Sequence, residues 1–215
     1  MNTIVLSALI VMALILLYIG IEGAFSGVTN FNYNSDLNVR QSSIPFDAIK
    51  EPTSKNFAYG MWLMLNNRTG GSIFKRASEL EVLLSIDGSL KLKIDNTEIN
   101  VIDNYPLQKW VYLVTTVAYN EKANVSIVDV YMNGKMVKSI QISPAISPTD
   151  TNSDKIIFDT LDAKMIDFKR WTYALTPQMI MDEYEKSNMK KYLGSYGVDV
   201  SLLKNDIMAK RFSLF

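Results

Sequence analysis

An all-β fold of packed antiparallel sheets is predicted, and two features of the sequence predict it. From Asn56 to Trp171, short β-type runs follow one another at regular spacing with turn residues between them, which is the pattern of a sandwich or barrel. Within that series the stretch VDVYMNGKMVKSI (128–140) is a hairpin by itself. Asn133-Gly134 separates two alternating runs, and both residue types tolerate the positive φ of a two-residue type I′ turn. The pairing expected from that turn sets Met132 against Lys135, Tyr131 against Met136, Val130 against Val137 and Asp129 against Lys138.

The runs are FAYGMWLML (57–65), SIFK (72–75), EVLLSI (81–86), LKLKI (90–94), EINVI (98–102), WVYLVTTVAY (110–119), the hairpin, KIIFD (155–159) and KMIDFKRW (164–171). Asp87-Gly88 is expected to form a second tight turn, in LSIDGSLKLKI. One short helix closes the series: Thr176 suits the N-cap, Pro177 the first helical position, and Met179, Ile180 and Tyr184 a buried stripe.

Flanking segments differ in kind. From Ile4 to Ile21 the chain reads IVLSALIVMALILLYIGI without a charge. As a helix this spans roughly 27 Å, close to the hydrocarbon thickness of a bilayer. No Lys or Arg precedes Arg40, so a basic signal-peptide n-region is missing, and an uncleaved anchor over residues 1–22 is expected, with the lipid bilayer as its partner. Residues 23–55, rich in Asn, Ser, Gly and Asp, read as a stalk leading into the domain, which starts as early as residue 30 or as late as residue 56 and runs to residue 187. The tail, 188–215, carries a candidate docking helix from Val200 to Arg211, with Val200, Leu203 and Ile207 on one side.

Composition excludes several chemistries. With no cysteine and no histidine among 215 residues, thiol nucleophiles, disulfides, Ser-His triads and most zinc sites are ruled out. Lys plus Arg and Asp plus Glu balance at 22 each, and no basic patch marks a nucleic-acid partner.

Three blocks, in order, carry a resemblance: NFAYGMWLMLNN (56–67), QKWVYLVTTVAYN (108–120) leading into the Asn-Gly hairpin, and KMIDFKRWTYALTPQMIMDEY (164–184). Together they resemble the laminin-G-like, concanavalin A-like jelly roll, with its early tryptophan strand, its second tryptophan strand and its closing strand, Ala-Leu pair and helix. Tyr112 stands where the family often has histidine. The resemblance implies a two-sheet antiparallel jelly-roll sandwich, with Trp62, Trp110 and Trp171 in packed positions. The same fold hosts β-glucan hydrolases, whose Glu-x-Asp-x-x-Glu run is not present; Glu79-Leu80-Glu81 and Asp182-Glu183-Tyr184-Glu185 are the nearest acidic groupings. No enzyme activity and no catalytic residue are expected.

Two functions follow. An anchored jelly roll without disulfides resembles minor capsid or virion membrane proteins of large DNA viruses, which implies a structural, assembly role, with protein partners and a single-pass location in a virion membrane or capsid. The alternative is a membrane-anchored lectin-like attachment protein. Its contact residues would be Tyr105, Tyr119 and Tyr173, near turns, and its glycan could involve calcium held by Asp150, Asn152 and Asp154 in SPTDTNSD (147–154); otherwise no cofactor is expected.

Overall fold

The computed structural model describes residues 11–14, 28–31, 35–38, 42–95, 97–149, 154–187, 199–204 and 207–213. Its strands are β1 (Val28–Asn30), β2 (Ser35–Asp36), β3 (Ser42–Ile44), β4 (Phe57–Leu65), β5 (Gly71–Arg76), β6 (Leu80–Leu84), β7 (Leu90–Ile94), β8 (Thr97–Ile102), β9 (Val111–Asn120), β10 (Val125–Met132), β11 (Lys135–Ile142), β12 (Ile156–Phe158) and β13 (Ala163–Trp171). Helix α1 (Pro177–Lys186) follows, then β14 (Asp199–Lys204) and β15 (Ile207–Ser213).

Two antiparallel sheets form the sandwich. One runs β1-β13-β4-β9-β10-β11, with β2 also paired to β13, and the other runs β3-β12-β5-β6-β7-β8. Alternation in the sequence explains the packing. In β4, Phe57, Tyr59, Met61, Leu63 and Leu65 point between the sheets, while Ala58 and Trp62 point out the other side. In β9 the inward set is Val111, Leu113 and Val117, and the outward set is Tyr112 and Val114.

The outward faces make a second core. Trp62, Tyr112, Tyr131 and Trp171 are covered there by Leu175 and by Ile180 of α1, with Trp110, Tyr173 and Tyr184 at the margin. Trp62 and Trp171 are thus buried and Trp110 partly buried, under the helix rather than between the sheets. Thr176 Oγ1 caps α1 by accepting from the Met179 backbone N–H at 3.3 Å. Met179, expected in the buried stripe, is 36% exposed, and Ile180 and Tyr184 carry the contact instead.

The Asn133-Gly134 turn forms as expected, with φ of 50° and 78°. Its register differs beyond the first two pairs: a bulge after Tyr131 sets Val130 against Lys138 and Asp129 against Ser139, leaving Val137 as the extra residue on β11. The second expected tight turn is wider. Leu84 pairs with Leu90, and the five intervening residues close through Ser85 N–H to Ser89 O and Gly88 N–H to Ser85 O. The segment expected as a stalk supplies β1, β2 and β3, and Leu37, Ile44 and Ile49 enter the main core. The expected tail helix is replaced by strands, since β14 and β15 pair with each other antiparallel.

Among the described residues no helix is long and apolar enough to cross a membrane. Of the apolar stretch 4–21, residues 11–14 are described and helical; the rest of that expected anchor lies outside the described residues.

Candidate functional site

Strand pairing fixes which loops share an end of the sandwich. Val28 lies opposite Trp171, Trp171 opposite Ala58, and Ala58 opposite Thr116. One end of the sheet therefore gathers the start of β4, the end of β9 and the segment after β13. Tyr119 and Tyr173, two of the three candidate contact tyrosines, both lie there. Tyr119 follows Val117 on β9, is half-buried, and its backbone N–H donates to Asn56 Oδ1 at 2.8 Å. The Lys55 ammonium sits 4.5 Å above its ring. Tyr173 is half-buried against the second core, and burial, then the Glu183 carboxylate, raises its phenol pKa.

Tyr105, the third candidate, belongs elsewhere. Its ring is 2% exposed inside the sandwich and its hydroxyl points at the Leu63 carbonyl at 3.5 Å. Burial holds its pKa far above the ordinary tyrosine value. An aromatic next to a turn is not thereby at the surface: the alternation that sends Leu63 inward makes room for this ring behind it.

The described residues on either side of the candidate calcium ligands Asp150 and Asn152, up to residue 149 and from Asp154, lie at the Tyr119 end as well. Before them, Ala145 N–H donates to Asn124 O at 3.1 Å and Ile146 N–H to Ser126 Oγ at 3.0 Å. After them, Asp154 is 4% exposed and its carboxylate is engaged by the protein: Arg76 Nη2 lies 2.8 Å from Oδ2, Ser78 N–H donates to Oδ1 at 3.2 Å, and Ser78 Oγ donates to Oδ2. Asp150 and Asn152 lie outside the described residues. No cluster of three acidic metal-ligand residues occurs among the described ones.

Beneath this end lies a group of charges that no sequence pattern announced. Arg76, Glu79, Arg170 and Asp154 are all buried between the sheets. Glu79 accepts from Arg76 Nη1 and from Tyr59 Oη, and from Arg170 Nη2 at 2.7 Å. Two guanidinium and two carboxylate groups neutralise one another, which is how charge survives out of water. Arg76 Nη2 meets Asp154 as an ion pair rather than a well-aimed hydrogen bond, and Arg170 Nε has no hydrogen-bond partner among the described residues. Burial, and then Glu79, pushes the Tyr59 phenol well above its usual range. Burial acts to lower the Arg170 pKa, but Tyr59 and Glu79 outweigh it and the value rises.

The cluster reaches the loops directly. Arg170 Nη1 donates to Lys50 O at 2.9 Å, the Arg76 guanidinium carbon lies 6.0 Å from the centre of the Phe46 ring, and Asp154 and Ser78 bring two further loops to the same charges. The internal ion pairs thereby tie down the chain at Lys50, Ser78 and Asp154, at the end that carries Lys55 and Tyr119. Glu79, from the first of the two acidic groupings, sits on a turn but faces inward. Glu183 of the second acidic grouping is half-buried and tied to Lys169 at 3.4 Å, while Asp182 and Glu185 are exposed. Of these carboxylates, Glu79 is held by two arginines and Glu183 by lysine.

The sequence matches the profile of the concanavalin A-like lectin/glucanases superfamily over residues 39–181. No curated protein matches the sequence. Among solved structures, the binding domain of botulinum neurotoxin DC, in complex with rat synaptotagmin II, is similar with a TM-score of 0.50 and 15% identity, over 68% of this chain and 39% of that one. Botulinum neurotoxin type C, whose cell entry is described as dependent upon interaction with two ganglioside molecules, has a TM-score of 0.51 and 14% identity, again over 68% of this chain and 39% of that one. This chain thus spans well under half the length of either toxin domain, and the likeness is one of fold. The match over more than half its length places the chain in the concanavalin A-like lectin/glucanase superfamily.

Proposed function

We propose that the chain is a membrane-tethered, non-catalytic recognition module that takes a glycan, free or on a receptor, at the end built around Tyr119 and Lys55. The observation that carries this reading is the exposed lysine standing 4.5 Å over a half-buried tyrosine ring at a loop-bearing end. A cation over an aromatic ring at an exposed site holds on by only about 0.5–1 kcal/mol, so a ligand displaces it readily. A sugar's C–H face then takes the ring, and the freed ammonium meets an acidic substituent. Superfamily membership supports the reading, as do two neighbours of the same fold, one described as a binding domain and one a toxin whose cell entry is described as dependent upon interaction with two ganglioside molecules. The tether is the apolar stretch 4–21.

A glycan array probed with the full chain in detergent, with and without calcium, tests this. The reading expects specific binding, to acidic glycans first, that Tyr119→Ala and Lys55→Ala weaken at least tenfold. A folded protein that binds no glycan sinks it.

A structural role, as a minor capsid protein linking a virion membrane to its shell, is the second reading. What favours it is exposed apolar surface: Met136 at 50% and Val137 at 36% on the edge strand β11, and Met179 at 36% on α1. Under that reading the array is silent and a shell protein co-purifies in fixed stoichiometry.

A further inference from the structure

The jelly roll starts and finishes at opposite ends of one sheet. β1 runs antiparallel to β13 with Val28 opposite Trp171 and Asn30 opposite Lys169, so Val28, its first residue, lies at the Tyr119 end. At the other side of the same sheet, Ser187, just past α1, accepts from Trp62 Nε1 at 3.2 Å, and Trp62 lies opposite Tyr112 and Ile166. Ser187 therefore lies at the end that carries the Asn133-Gly134 turn.

We infer that the Tyr119 end rests against the headgroup layer of the bilayer that residues 4–21 enter, and that the turn end is held away from it. This rests on the tether of the preceding reading and adds the surface that meets the membrane. Only residues 22–27 separate the apolar stretch from Val28. Seven Cα steps reach at most about 25 Å even when fully extended. From Ala58, level with Val28, to the far end of β4 at Leu65 is another seven residues, or about 23 Å of strand. An inverted domain would need the whole connection stretched straight back along the sheet, whereas the proposed placement needs no such extension.

The surface itself carries balanced charge. Lys50, Lys55, Lys122 and Lys155 are exposed at this end among an equal number of exposed acids, Asp47, Glu51, Asp95 and Glu121, as a zwitterionic headgroup layer can meet. Lysine ammonium groups pair with headgroup phosphates, and half-buried tyrosines such as Tyr119 and Tyr173 suit the polar–apolar boundary. A glycan taken at Tyr119 is then one that protrudes from the chain's own membrane.

Because the chain has no cysteine, single labels can be placed without first removing a native thiol. Full-length Lys122→Cys and Lys135→Cys variants, each with one environment-sensitive dye, would be reconstituted in phosphatidylcholine–phosphatidylglycerol nanodiscs with or without a headgroup nitroxide lipid. Glu121→Cys and Lys109→Cys form a second pair, so that one misfolded variant does not decide the result. The expected outcome is quenching at 121 and 122 several-fold stronger than at 109 and 135. Stronger quenching at 109 and 135, equal quenching, or none at any position overturns the inference. An alkaline carbonate wash separates the two claims: a chain that washes off the bilayer removes the tether, while a retained chain with the wrong quenching pattern removes the orientation alone.

Discussion

Glu79, on the turn between β5 and β6, accepts from Arg170 of β13 at 2.7 Å and so joins the two sheets by a charge pair inside the sandwich. Both side chains are fully removed from water. Deleting one partner leaves the other charge buried and uncompensated, which costs about 3–5 kcal/mol. Glu79→Ala is expected to lose that much in urea unfolding, and to loosen the loops at Lys50 and Asp154 before the sheets, as seen by amide exchange. A loss below about 1 kcal/mol would mean that water reaches the cluster.

Gly60 lies where β4 passes under Trp171. A Cβ there would stand 2.8 Å and 2.9 Å from the Trp171 ring and 3.1 Å from Tyr112 Oη. Both rings are wedged beneath α1, so neither can give way freely. Gly60→Ala should cost about 1–3 kcal/mol by overpacking, read as a lowered Tm. Trp171→Phe in the same chain should recover part of that loss.

The Asn133 side chain does more than turn the chain. Its Oδ1 accepts from the Tyr112 backbone N–H at 2.9 Å, while the Asn133 backbone N–H donates to Tyr112 O at 2.8 Å. Asn133→Ala strands a partly buried donor and strains a residue at φ 50°, for an expected loss of about 1–3 kcal/mol. Asn133→Asp keeps the acceptor and should lose less. Equal losses in the two variants would assign the whole effect to the turn.

Asp87 gives the fold a local acid dependence. Ser89 donates to its Oδ1 from Oγ at 2.7 Å and from the backbone N–H at 2.8 Å, and these bonds lower the carboxyl pKa from its ordinary value. A depressed folded pKa contributes stability that is full above the unfolded pKa and fades as pH falls through the folded one. Asp87→Asn should therefore lower stability near pH 7, and the gap from the native chain should close below the usual carboxylate range. A gap that persists at acid pH would point to turn geometry rather than charge.

Strands β4 to β11 and β13 were legible because each is long enough to display a run of β-type residues, and three-residue β12 because Ile156, Ile157 and Phe158 are all apolar. β1 to β3 were not, since two or three residues among Asn, Ser and Asp carry no period, and pairing to β13 and β12 supplies what their sequence lacks. The tail misled for a related reason. Val200, Leu203 and Ile207 fit a helical stripe, yet Val200 and Leu202 also alternate with Ser201, and strand pairing prevails. The bulges at Tyr131 and Asp167 had no local signature, and the second one matters most. With Asp167 at φ 55°, β13 shifts parity, so that Phe168 and Arg170 turn inward after Met165. Without that shift Arg170 reads as half of an ordinary surface pair with Lys169. Of the candidate site, Tyr119 and Tyr173 could be named from the turns beside them; Lys55 and the supporting ion pairs needed the fold, because their partners lie far along the chain.

The most direct test of the central claim is amide hydrogen exchange on the full chain in nanodiscs, with and without the best glycan from the array. Slowed exchange at residues 50–56, 119–126 and 145–149, with residues 131–136 unchanged, is the predicted result. Slowed exchange at the Asn133-Gly134 turn instead, with the Tyr119 end unchanged, would contradict the account.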